Sequence, residues 1–98
     1  MTITTNMNGK ALEIALEGRL DTMTAPDLEA ELNKTMADAE TLTLDFSGLD
    51  YISSAGLRVL LSAHKVMSTK GGMKIRNVND IVQEVFEVTG FSDILTIE

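Results

Sequence analysis

Hydrophobic and polar residues alternate near the start of the chain, with Leu12, Ile14 and Leu16 on one side, as a half-buried strand requires. Asn8-Gly9 separates this run from a shorter one before it. It is a strong hairpin signal, because both residues tolerate the positive φ of a type I′ turn. That turn predicts Met7 opposite Lys10, Thr5 opposite Leu12 and Ile3 opposite Ile14. The period then changes. Leu28, Leu32 and Met36 recur every four residues and predict a helix from about Thr24, with Thr24 as its cap and Pro26 in its first turn. Asp27 and Glu29 complement the dipole of that helix. Alternation returns over residues 41–46, where Leu42, Leu44 and Phe46 share a face, and a turn is expected to follow.

A second helix is predicted over residues 55–70. At 100° per residue Gly56, Leu57, Leu60, Ala63 and Met67 fall on one arc, with Arg58, Ser62 and Lys65 opposite. Gly71-Gly72 ends it, and a short strand covers residues 73–76. A third helix starts at Asn79 or Asp80 and carries Ile81, Val82, Val85 and Phe86. Gly90 suits the left-handed residue that closes a helix, and Phe91 the apolar contact that accompanies it. Residues 94–97 form a last short strand.

The order β-β-α-β-α-β-α-β predicts a single α/β domain over residues 1–98. It is a mixed sheet, an N-terminal hairpin followed by parallel strands, with helices mainly on one face. Asp21 then follows the second strand and Ser53-Ser54 the third, at the sheet edge where sites gather in open α/β folds. The serine pair places a hydroxyl at a helix N-terminus, which is rich in unpaired N–H donors.

Composition narrows the chemistry. The 98 residues suffice for one modest core. There is no cysteine, so disulfides and thiolate metal sites are excluded, and no carboxylate spacing resembles a calcium loop. Eight Lys and Arg are scattered against 15 Asp and Glu, for a net charge of −7. That argues against nucleic acid, and the acidity reads first as solubility and second as steering toward a basic partner. No apolar run approaches the roughly 20 residues that span a bilayer, and no secretory leader is visible, so a cytoplasmic monomer is expected. His64 lies ten residues along the helix from Ser54, about 15 Å away, too far to act as its base. No nucleophile elbow or phosphate-cradling loop is present either. A packing role is expected for His64, and an enzyme is not.

The run Asp50-Tyr51-Ile52-Ser53-Ser54-Ala55-Gly56-Leu57-Arg58 resembles the phosphorylation loop of STAS-domain anti-sigma factor antagonists. Gly18-Arg19-Leu20-Asp21 is similar to the family's Gly-x-Leu-Asp, and Thr89-Gly90-Phe91 to its third-helix ending. The resemblance covers essentially the whole chain, with the three motifs in order between Gly18 and Phe91. Family acceptor loops commonly read Asp-Ser-Ser/Thr-Gly-Leu-Gly. Aligned on Gly56-Leu57, Ser53 takes the Asp position, Ser54 the acceptor position and Ala55 that of the second hydroxyl, while Arg58 replaces the last Gly.

The resemblance implies a switch. The unmodified chain binds an anti-sigma factor that is also a serine kinase, releasing the sigma factor. The kinase brings ATP and Mg²⁺ and phosphorylates Ser54, a serine phosphatase reverses this, and the chain itself needs no cofactor. Ser53 is the alternative acceptor. The implied contact set is Asp21, Thr22, Ser53, Ser54, Gly56, Leu57 and Arg58. The alternative is a STAS accessory subunit that docks, unphosphorylated, on the ATPase or permease of a transport assembly.

Overall fold

The computed structural model describes residues 1–98. In chain order the elements are β1 (Thr2–Asn8), β2 (Ala11–Leu20), α1 (Ala25–Thr35), β3 (Thr41–Ile52), α2 (Ser54–Met67), β4 (Met73–Arg76), α3 (Asp80–Thr89) and β5 (Thr96–Ile97). The strands lie side by side in that same order. β1 and β2 are antiparallel, and every later pairing is parallel, as helical crossovers require.

Leu12, Ile14 and Leu16 of β2, Leu42, Leu44 and Phe46 of β3, and Met73 and Ile75 of β4 are all buried. The residues between them (Glu13, Ala15, Thr43, Asp45, Lys74 and Arg76) are not. Leu28 and Leu32 of α1, Leu60, Ala63 and Met67 of α2, and Val82 and Phe86 of α3 close over the buried side in one continuous core. The helices therefore cover one face of the mixed sheet. The other face is open and carries an ion pair between Arg76 and Glu13 at 2.9 Å.

The hairpin register differs from the one predicted. Met7 lies opposite Leu12, Thr5 opposite Ile14 and Ile3 opposite Leu16, a slip of two residues that keeps every side chain on its expected face. Gly9 alone takes positive φ, 64°, so the turn centres on Gly9-Lys10 in the manner of a type II′ turn. The Lys10 carbonyl accepts from the amides of Glu40 and Thr41, which ties this turn to the start of β3.

β3 does not stop at Phe46. It runs on through Ser47-Gly48 to Ile52, with two register shifts against β2 that each place one extra residue in β3. The buried positions accordingly pass from Phe46 to Leu49 to Ile52, stepping by three where the bulges intervene. Helix ends are clearer. The Asn79 side chain caps α3 by accepting from the Val82 amide at 2.8 Å, and Gly90 closes it at φ 82°. α2 ends at Met67 rather than Lys70, and β5 shrinks to Thr96–Ile97.

Candidate functional site

Parallel pairing brings the two loops of interest together. Leu20 and Ile52 are register partners at the carboxyl ends of β2 and β3, and the Ser53 amide donates to the Leu20 carbonyl at 2.9 Å. Asp21 and Ser53 thus leave the sheet side by side, each leading toward a helix.

Asp21 organises its own loop. Its Oδ1 accepts from the amides of Met23 at 3.0 Å and Thr24 at 3.1 Å, while the Thr24 hydroxyl accepts from the Asp21 amide at 2.9 Å. This reciprocal pair is a capping box, displaced ahead of α1. The Thr24 side chain therefore makes no cap bond to the helix itself and instead donates to the Arg19 carbonyl at 2.8 Å, a correction to its expected role. The Thr24 amide, then that of Met23, hold the Asp21 carboxyl below its ordinary titration range. Asp45 is held low in the same way, first by Asn77 and then by the Ser47 amide. Asn77 itself stands at a left-handed φ of 60°, braced by its 3.0 Å bond to Asp45.

The serines divide between two tasks. Ser53 is the N-cap of α2, and its hydroxyl accepts from the Gly56 amide at 3.4 Å. Ser54 is the first helical residue and is exposed, with no side-chain partner in the fold. The helix predicted from residue 55 thus starts one residue earlier and is capped by Ser53, because β3 extends to Ile52 and leaves one residue between strand and helix. Gly56 is buried, and a Cβ there would lie 2.7 Å from Leu20 Cγ. Leu57 is only 5% exposed. Both therefore sit beneath the expected contact surface. Thr22, Ser54 and Arg58 are exposed on it, with Asp21 and Ser53 half-buried.

Two features of this end were not legible in sequence. Arg19 lies over the Tyr51 ring at 4.4 Å and 3.9 Å from the Asp21 carboxylate, adding an exposed cation beside the Asp21 loop. A shallow groove of about 360 Å³ runs between α1 and α2, with Thr22, Pro26 and Glu29 on one wall and Ala55, Arg58 and Ser62 on the other. Its walls come from segments far apart in the chain, so no local pattern announces it. His64 stands in the C-terminal half of α2, half-buried, with a buried Nδ1 that has no hydrogen-bond partner. The site offers a free hydroxyl, helix N-terminal amides and the exposed Arg58 guanidinium on a solvent-facing surface. A hydroxyl and amides so placed are chemically able to receive an anionic group.

A family model described as "Mlab, STAS domain" matches residues 3–96. A relative from Bordetella bronchiseptica, named as anti-sigma factor antagonist BtrV, is 40% identical over 84 residues, covering 84% of this chain and 72% of its own. Among solved structures, an anti-sigma factor antagonist from Mycobacterium paratuberculosis superposes with a TM-score of 0.89 at 21% identity, covering 98% of this chain and 83% of its own. The Bacillus cell fate determinant SpoIIAA in its phosphorylated form superposes with a TM-score of 0.76 at 18% identity, covering 99% of this chain and 91% of its own. No helix here is long and apolar enough to cross a membrane.

Proposed function

Since this chain belongs to the STAS domain family and stands among its anti-sigma factor antagonists, we propose that it is an antagonist switched by phosphorylation at Ser54. One observation carries the reading: Ser54 presents a hydroxyl that the fold does not use, at the exposed first position of α2, while the neighbouring Ser53 is occupied as the cap. The SpoIIAA neighbour exists in a phosphorylated form, which fits a modifiable hydroxyl on this fold.

In the unmodified state the surface of Asp21, Thr22, Ser53, Ser54 and Arg58 binds an anti-sigma factor with serine kinase activity, and the sigma factor is released. Gly56 and Leu57 shape that surface from below. The partner transfers the γ-phosphoryl group of ATP to Ser54 Oγ. The new O–P bond replaces the bond to ADP, and the hydroxyl proton leaves to the kinase. A serine phosphatase restores the hydroxyl by hydrolysis. The chain itself contributes no catalytic group and no cofactor.

The phosphate adds about −1.5 to −2 charge at the positive end of α2, where the dipole and free amides favour it. Modification should leave the helix intact and act by bulk and charge against the partner.

A second reading, an unphosphorylated accessory subunit docked on the ATPase or permease of a transport assembly, is favoured by Ser53 standing where family acceptor loops carry Asp. Mass spectrometry of the protein recovered from its own cells decides between them. Phosphate on Ser54 that is lost in Ser54→Ala supports the switch. Phosphate on Ser53 alone moves the acceptor, and an unmodified chain that co-purifies with an ATPase establishes the transport reading.

A further inference from the structure

α3 carries a surface that the core does not account for. Val82 and Phe86 bury its inner side, yet Ile81 is 61% exposed and Val88 is 79% exposed. At 100° per residue Val88, Ile81 and Val85 fall within about 60° of one another, a separate apolar stripe beside the buried one. They line a shallow depression of about 290 Å³ together with Glu84 and Thr89. Val85 is half-buried and packs against the core, and with the exposed Ile81 and Val88 in register beside it the three form a patch where isolated exposed residues would be ordinary.

Charge says what fits it. Asp80, Glu84 and Glu87 run along the edge of the stripe away from the core, and all three are exposed. Residues 1–76 hold ten carboxylates against eight cations, whereas residues 77–98 hold five carboxylates and not one Lys or Arg. Residues 77–98 therefore contribute −5 of the net −7, and three of their five carboxylates are on α3 itself. An apolar ridge with an acidic margin complements a helix with an apolar face and a basic margin. The same carboxylates repel an anionic lipid surface and a second copy of this chain.

We infer that the outer face of α3 is a docking stripe for a basic amphipathic helix of a partner protein. Ile81, Val85 and Val88 supply the apolar seat, and Asp80, Glu84 and Glu87 set the orientation and the charge preference. Nothing in this inference depends on Ser54.

The test uses the full chain and a synthetic peptide of about 18 residues, roughly five helical turns, with leucine on one face and lysine on the other. Controls are the same peptide with glutamate for lysine, and a shuffled lysine–leucine peptide without a face. Binding is followed by amide chemical shifts. The lysine peptide is expected to shift residues of α3 selectively and to weaken as salt rises. Val88→Asp, at a solvent-exposed position, should fold as wild type by circular dichroism and bind the peptide about tenfold more weakly. The double variant Glu84→Gln/Glu87→Gln should lose much of the salt dependence. Shifts spread over the whole surface, equal binding of the shuffled or glutamate peptide, or unchanged affinity in Val88→Asp would each overturn the inference. So would sedimentation showing a dimer that Val88→Asp dissolves, or binding to phosphatidylglycerol vesicles that it abolishes.

Discussion

Ser53 and Ser54 are neighbours with opposite relations to the fold, and substitution should separate them. Ser53→Ala removes the cap of α2 and is expected to cost about 0.5–1 kcal/mol, the low end for a cap because its bond to Gly56 is long at 3.4 Å. Ser54→Ala removes a hydroxyl without a partner and should stay within about 0.5 kcal/mol. Ser54→Asp adds a carboxylate to the first turn and should leave stability equal or slightly raised. Urea denaturation of the three variants checks the order. A cap at Ser54 would reverse the first two. Arg58 is exposed beside this pair, so Arg58→Ala should likewise spare stability.

At the scale of elements, two contacts set how α2 sits. Lys70 Nζ, just past the helix, donates to the carbonyls of Met36, Ala37 and Ala39 at 2.8, 3.2 and 3.0 Å, satisfying the chain end that follows α1. Lys70→Ala should cost about 1.5–3 kcal/mol by thermal unfolding, since three bonds to a charged donor are lost and, of these carbonyls, the Met36 one alone keeps another partner, the Ala39 amide. At the other end Gly56 lets α2 approach Leu20 and Ile52 closely. Gly56→Ala gains up to about 1 kcal/mol of helix propensity but forces overpacking of about 1–3 kcal/mol, so net destabilisation is expected. Stability equal to wild type would mean that the close approach is soft. These elements were legible in sequence to different degrees. Asn79, Gly90 and β4 were readable because cap, stop and alternation are local signals. The extension of β3 was not, because two bulges break the period and Ser47-Gly48 has the composition of a turn. That misplaced end also moved the start of α2 by one residue. The site's two loops were legible as strand ends, whereas the groove and the Arg19–Tyr51 stack depend on tertiary pairing.

The whole molecule responds to acid through Asp21 and Asp45, whose carboxyls both titrate below the ordinary value of 3.8 when folded. The folded state thus binds protons less readily than the unfolded chain. Their stabilisation is complete above 3.8 and is lost as pH falls below it through the folded values. Asp21→Asn and Asp45→Asn should each flatten the acid limb of a stability–pH curve while leaving its neutral plateau shape unchanged. An unaltered acid limb would mean that other carboxylates govern it. A different consequence follows from the single residue between β3 and α2, whose amide is fastened to the Leu20 carbonyl. There is no slack there. Sites for kinases often lie on loose segments that can be drawn into a cleft, but Ser54 is presented by a rigid corner that exists only when β2, β3 and α2 are assembled. On the proposed switch, a peptide of residues 47–60 should be a poor substrate beside the intact domain. On that proposal the population that can be tagged is the population that has folded.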